Sequence, residues 1–414
     1  MEGSADTPQI VKVSGGRSSG MMLLRLLETG TLDPSRGDVA IFTNTSAEHS
    51  ATYAFLSHLK AVAEERGLPF FWLEFCTYED AVRGEWTRRN AYRLVNDRPA
   101  GPDNPDGYHH HGEVFEEMLS SECATPSMQK RFCTRTLKVA PSNAFLVDWF
   151  GVKDGPKRLG HFGSASRITD DAILDRHEKN RGRTPRNIFL AKKRYVRERP
   201  LVRPAQRFAD FSAVPHLWRP PAPKKLFGPR AIPFISNLGL RADEAHRVEK
   251  TEHRISRQRG SRGQAWGDQP PGEAICAPLV EAGVNRDAVS AFWKMQSFDL
   301  ELPADGRYGN CVFCMMKGRL QLTELARECP ADAAGPESID WWVEMEAKYG
   351  RNLIAEQRKI EQENVTHFGF FGPAQGSIYA DIQDQATRYQ VGHSAGADAE
   401  YLVDEPYEVC ECTD

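Results

Sequence analysis

Residues 10–75 alternate short apolar runs with helix-length stretches, and this rhythm restricts the chain more than any other feature. Ile10–Val13 is a short apolar run broken by Gly15-Gly16, and Met21–Glu28 then reads as a helix stopped by Gly30. Val39–Phe42 is a second strand, ending at Thr43-Asn44-Thr45. Ser50 stands at the start of a helix reaching Arg66, with Gly67 just past its end, and Phe70–Phe75 is a third strand. Strands separated by helices predict a parallel sheet with right-handed crossovers. Ligands of such sheets sit beyond the carboxyl ends of the strands. Ser14–Ser19 and Thr43–Glu48 are therefore expected side by side at one rim.

The chain has 414 residues, enough for two domains or one domain with large insertions. Its 40% apolar and 27% charged content reads as soluble and globular. No apolar stretch approaches the roughly 18 residues of a membrane helix. The polar, acidic opening MEGSADTPQ does not read as a secretory signal. The expected compartment is the cytoplasm, with no membrane partner. There the nine cysteines point to metal or redox chemistry more than to disulfides, above all Cys311-Val-Phe-Cys314 and Cys410-Glu-Cys412.

The total charge of −4 hides an asymmetry. Residues 176–230 hold 16 Lys or Arg against Glu178, Glu198 and Asp210, a local +13 that leaves −17 elsewhere. Such a block suits a polyanion such as nucleic acid, or pairs with acidic surface of the same chain. Its prolines, among them Pro200, Pro204 and Pro220-Pro221, make it an irregular insertion. Arg98–Gly107 reads as a loop, Ile235–Leu240 as a strand, and Ala242–Glu252, Asp287–Met295 and Ser338–Tyr349 as helices. Trp341-Trp342 reads as a packing anchor and His109-His110-His111 as a surface feature, since three adjacent side chains do not converge easily on one ion. Glu74, Glu79 and Asp80, after the third strand, are within reach of a nucleotide or Mg²⁺, although no spacing requires it.

Ser14-Gly15-Gly16-Arg17-Ser18-Ser19 carries the clearest chemistry. Glycines between a strand and a helix let backbone N–H groups close on an anion, and the helix adds its positive end. Ser14, Ser18 and Ser19 offer hydroxyls, and Arg17 offers a phosphate clamp. The spacing is neither that of the Walker loop nor that of the dinucleotide fingerprint.

This loop resembles the S-G-G-x-x-S pyrophosphate loop of the N-type ATP pyrophosphatases, and four further segments follow in order. Ile41-Phe42-Thr43-Asn44-Thr45-Ser46-Ala47-Glu48 is similar to N-T-G-x-E, with Ser46 in place of glycine. Arg131-Phe132-Cys133-Thr134-Arg135-Thr136-Leu137-Lys138 resembles R-x-C-T-x-x-L-K. Gly239-Leu240-Arg241-Ala242-Asp243-Glu244 resembles G-I-R-x-x-E, and Gly309-Asn310-Cys311-Val312-Phe313-Cys314 resembles G-x-C-x-x-C. Together they resemble the phosphoadenosine phosphosulfate (PAPS) reductase-like superfamily of adenine nucleotide alpha hydrolases over about residues 10–320.

The resemblance implies a Rossmann-like HUP α/β domain, a parallel sheet flanked by helices, over residues 1–165 and 232–320. The basic irregular insertion would occupy 166–231, and a mostly helical C-terminal segment with a Cys-x-Cys tail 321–414. It implies ATP with Mg²⁺ on Ser14, Gly15, Gly16, Arg17, Ser18, Ser19, Thr43, Asn44, Thr45 and Glu48, and catalysis by Arg17, Cys133, Lys138 and Arg241. Cleavage at the α-phosphate would activate an acceptor for sulfur transfer, with nucleic acid on 176–230 as acceptor and a sulfur-donor protein as partner. Related enzymes that sulfurate nucleic acids imply a 4Fe–4S cluster on Cys133, Cys311, Cys314 and Cys412, with Cys410 or Cys276 as other fourth ligands and Zn²⁺ as the other metal. Two alternatives stay open. One is a thiol-dependent reductase of PAPS or adenylyl sulfate, whose E-C-G-x-H ending is absent here; the other is a nucleotide-binding module without turnover.

Overall fold

The computed structural model describes residues 7–82, 85–122, 124–128, 131–151, 161–167, 234–251, 273–303, 305–350, 367–374 and 376–390. The basic segment 176–230, Cys410 and Cys412 lie outside the described residues.

Strands β1 (Gln9–Lys12), β2 (Val39–Asn44), β3 (Phe70–Val82), β7 (Phe234–Leu238) and β8 (Glu273–Cys276) form the parallel part of the sheet. Their order is β3-β2-β1-β7-β8. The chain thus builds outward from β1 in one direction, returns, and builds outward in the other. The turn of direction falls between β1 and β7, where a crevice opens above the strand ends. Beyond β3 the sheet continues antiparallel through β4 (Glu85–Pro99), which pairs with β5 (Gly107–Tyr108) and β6 (His161–Arg167). The architecture is a mostly parallel, Rossmann-like α/β sheet with helices on both faces.

Alternation along the strands sends apolar side chains to both sides. On one face Val11, Val13, Ala40, Phe42, Phe70 and Trp72 pack under helices α1 (Arg17–Glu28), α2 (Ser50–Glu65) and α6 (Arg286–Trp293). On the other, Ile10, Val39, Ile41, Phe71 and Leu73 meet Phe145, Leu146, Trp149 and Phe150 of α4 (Ala140–Gly151). Burial on both faces explains why these strands read as continuous apolar runs. Met22 and Leu23 of α1 are fully buried, so truncating either to alanine should cost about 2–5 kcal/mol.

A second apolar cluster lies beside the sheet. It joins Phe75, helix α3 (Glu113–Glu122), a π-helical turn Thr134–Val139 leading into α4, the Cys311–Cys314 segment, and helices α7 (Arg319–Glu328), α8 (Ile339–Tyr349) and α9 (Ile378–Gln390). Glu346, fully buried, accepts from the Phe370 N–H at 2.9 Å, the Tyr379 N–H at 3.3 Å and the Ser377 hydroxyl, which ties α8 to the start of α9. Further elements are helix α5 (Pro278–Glu281), the short antiparallel pair β9 (His367–Gly369) and β10 (Gly372–Ala374), and 3-10 turns at Pro34–Arg36, Ala242–Glu244 and Gly335–Glu337.

Several elements differ from the sequence reading. α1 starts at Arg17, four residues before Met21, because Ser18 and Ser19 fit a first turn as well as a loop. α2 is capped by His49, whose Nδ1 accepts from the Ala51 N–H at 3.1 Å, and not by Ser50. β3 runs on to Val82 and returns as β4, a pairing that no short-range turn signal marked. α3 and α4 were not expected at all.

Candidate functional site

The loop after β1 and the first turn of α1 border a cleft of about 170 Å³ at the point where the sheet changes direction. Gly15 takes φ +85°, and a Cβ there would lie 2.5 Å from Cγ2 of Thr52. Gly16 is different. Its φ of −92° suits any residue, and a Cβ would meet nothing nearer than Ser14 Oγ at 3.8 Å, so this side of the backbone is open. The Ser14 N–H donates to Ser19 Oγ at 3.1 Å, and Ser19 Oγ donates to the Gly16 carbonyl at 3.0 Å, folding the loop over the helix start. The N–H groups of Gly15 to Ser18 donate to no protein acceptor among the described residues. Those of Gly16, Arg17 and Ser18 are orphan donors of a helix start, and all four residues line the cleft.

Glu48, Gly239, Arg241 and Asn310 line the same cleft. Gly239 follows β7, and a Cβ on it would come within 2.6 Å of Ser19 Cα. That absence of a side chain brings the β7 loop against α1, where Arg241 Nη1 donates to Ser18 Oγ at 3.3 Å. Burial works against the Arg241 charge, but the hydrogen bond to Asp243 and the charges of Glu244 and Asp243 outweigh it and hold the guanidinium above its ordinary pKa.

Arg17 borders the cleft, and its guanidinium is engaged by protein acceptors. Its Nε and Nη2 donate to the two oxygens of Asp299 at 2.8 and 3.0 Å, and Nη2 also reaches the carbonyls of Leu300 and, at 3.0 Å, Leu302. Leu300, Leu302 and Pro303 are the opposite wall of the cleft, so Arg17 fastens that wall to the phosphate-loop helix. Trp293 Nε1 donates to the Arg17 carbonyl at 2.9 Å and secures the same helix start from α6.

The segment after β2 is a polar floor. Asn44, fully buried, donates through Nδ2 to Glu74 at 2.7 Å and to the His109 carbonyl at 2.6 Å; its Oδ1 accepts from the Ser46 N–H at 2.8 Å and from Tyr53 at 3.0 Å. Thr45 donates its hydroxyl to Glu48 at 2.8 Å, and Glu48 also accepts from the N–H groups of Thr45 and Ala47. Burial, then the charges of Glu48 and Glu74, push the Tyr53 phenol well above its ordinary range. Asn44 and Thr45 thus hold the segment that carries Glu48, which borders the cleft, while Thr43 does not line it. Ser46 takes φ +58°, and its Oγ accepts from the Val114 N–H at 2.8 Å and the Phe115 N–H at 3.3 Å at the start of α3.

His109 corrects the surface reading of the histidine run. Its Nδ1 lies 2.8 Å from buried Glu74, inside the floor. His110 is half-buried, and that burial, followed by the charge of His111, lowers its pKa. Trp342 is fully buried against Phe115, Phe370 and Tyr379, as a packing anchor should be.

The cysteine segment meets this floor through backbone. Glu48 and Cys311 form an isolated antiparallel bridge, the Val312 N–H donates to the Ala47 carbonyl at 3.1 Å, and Cys311 Sγ lies 3.8 Å from Thr45 Oγ1. Cys133, Cys311 and Cys314 share one buried cluster. Tyr379 lies among them, its hydroxyl donating to the Phe313 carbonyl; burial raises this phenol well above its usual range, with the charges of Cys314, Glu346, Cys311 and Cys133 adding. Lys138 is buried in the π-helical turn and does not border the cleft. Among the described residues no group of three His, Cys, Asp or Glu is arranged to hold a metal ion. Cys276 stands apart at the end of β8, donating to Glu281 at 3.6 Å, and burial followed by that carboxylate pushes its pKa up to about 11.

Arg286 and Ser290 of α6, the 300–303 wall and Asn310 also line the cleft, and sequence reasoning missed all of them. Arg286 had a usable signal: a cation in the first turn opposes the helix dipole, and such local conflicts concentrate at functional sites.

Fold and site together define an α/β protein with an anion-suited cleft at the switch point of a Rossmann-like sheet. No protein-family model, curated protein or solved structure matches the chain.

Proposed function

We propose that the cleft binds the phosphates of an adenine nucleotide, and that the chain is an ATP pyrophosphatase of the PAPS reductase-like superfamily with a HUP domain. One observation carries the reading: the N–H groups of Gly15 to Ser18, without an acceptor among the described residues, border a cleft at the sheet's change of direction. The motifs at 14–19, 45–48, 239–244 and 309–311 also adjoin one another there, although they are far apart in sequence.

In this reading backbone N–H groups and Arg241 stabilise the charge that develops as an acceptor oxygen attacks the α-phosphorus. The bond from that phosphorus to its bridging oxygen breaks, and pyrophosphate leaves with the electron pair, so the acceptor is adenylylated. Arg17 acts by holding the wall, and Glu48 by shaping the floor. Mg²⁺ would travel with the phosphates and keep several waters, as this ion usually does. No step is routed through iron or zinc; Cys133, Cys311 and Cys314, which share one buried cluster, would hold such a centre together with Cys412. Cys311, adjoining Glu48, supports a sulfur-transfer role with the sulfur supplied by a donor protein.

Nucleic acid is proposed as the acceptor on the charge of residues 176–230 alone. Calorimetry with MgATP, followed by assay of pyrophosphate release with DNA or RNA present, tests the whole reading. Absence of ATP binding refutes it. ATP binding without a salt-sensitive gel shift at about 50 mM salt, where phosphate contacts are strong, removes the nucleic-acid acceptor and leaves a small-molecule enzyme.

A further inference from the structure

Arg17 and Arg286 occupy the first positions of α1 and α6, and both helices border the cleft. A cation there is opposed by the positive end of its own helix, so each arginine calls for a compensating anion. Arg17 has Asp299 in a two-bonded contact. Arg286 is exposed and forms no ion pair among the described residues. Asp243 is the acid whose carboxyl feels the Arg286 charge, but Asp243 is already engaged by Nε and Nη2 of Arg241, both at 3.0 Å. Ser290, one turn along α6, and Ser18, beneath Arg241, add hydroxyls to the same stretch of cleft.

We propose that Arg286 is the side chain that meets the outer phosphates of the nucleotide, so that the cleft selects a polyphosphate over a monophosphate. This rests on the nucleotide reading above. The planar guanidinium suits a phosphate through paired N–H bonds, and the α6 start reinforces its charge. Arg17, by contrast, is a positioning residue whose own anion is built into the fold.

The test is calorimetric titration of the full chain with MgATP and with AMP, in the wild type, Arg286→Gln and Arg286→Lys. Arg286→Gln should weaken ATP binding by about tenfold or more while changing AMP binding by less than about twofold, the range separating a lost charge-assisted bond from none. Arg286→Lys should fall between, because lysine keeps the charge without the fork. The thermal midpoint of Arg286→Gln should be unchanged or slightly raised, since a cation leaves a helix start. Equal losses for ATP and AMP, or unchanged ATP affinity, overturn the assignment and leave the nucleotide reading standing. A lowered midpoint in Arg286→Gln with full ATP affinity in Arg286→Lys makes Arg286 structural and also overturns it. A wild type that binds no ATP removes the nucleotide reading itself, and this assignment falls with it.

Discussion

Gly15→Ala should destabilise the chain by two separable mechanisms. The first is backbone strain: with φ at +85°, an added Cβ costs about 1–2 kcal/mol. The second is steric, because that Cβ would stand 2.5 Å from Cγ2 of Thr52 and 3.4 Å from Cδ1 of Leu56. Overpacking of this kind costs about 1–3 kcal/mol, so the expected total is about 2–5 kcal/mol. Thr52→Ser removes the offending methyl and keeps the hydroxyl. Alone it should cost about 1 kcal/mol, as loss of a buried methyl does. Combined with Gly15→Ala it vacates the space the new Cβ needs, leaving mainly the backbone strain. Urea denaturation of the four proteins in the cycle should therefore show a favourable coupling of about 1–3 kcal/mol. Additive effects, or a Gly15→Ala protein within about 0.5 kcal/mol of wild type, would show that neither the left-handed turn nor the Thr52 contact is as described.

Gly16→Val should leave the urea midpoint nearly unchanged, because its backbone is extended and its Cβ side open, yet lose ATP binding on calorimetry; full affinity in the folded variant would refute phosphate binding at this loop. Ser46→Ala keeps a Cβ at φ +58° and loses the cap on α3, for about 1–2 kcal/mol, whereas Ser46→Gly also relieves the strain and should come out milder by urea denaturation; the reverse order would refute the capping role. The Cys276 thiol, with a pKa of about 11, should resist iodoacetamide at pH 8 and react as pH approaches 11, read by peptide mass spectrometry. The folded state holds this proton more tightly than the unfolded one, so its contribution to stability is complete below about pH 9 and disappears towards pH 11.

Local chemistry explains what could be read in advance. The strands over residues 10–75 are apolar on both faces because helices cover both, which leaves a continuous signal in the chain. Gly15-Gly16 between a strand and a helix marks a turn with exposed N–H groups whatever the rest of the molecule does. The β3–β4 hairpin, α3 and the π-helical turn gave no comparable signal. α3 depends on a distant segment, the N–H groups of Val114 and Phe115 at its start donating to Ser46 Oγ.

By itself the sequence determined the alternating α/β order, the rim that carries Ser14–Ser19 and Thr43–Glu48, and the residue types suited to phosphate there. Tertiary structure alone decided which charges face the cleft. Arg17 looked like the clamp because its type and position suit a phosphate, but Asp299 and two carbonyls from a distant segment claim its guanidinium. Asn44 and Thr45 looked like ligand contacts, yet Glu74, Tyr53 and Glu48 draw them into the floor. Arg286 belongs to none of the motifs read in the sequence and nevertheless lines the cleft. A side chain's hydrogen bonds go to whichever donors and acceptors folding brings near, and those partners are set by the path of the whole chain, which no local spacing encodes.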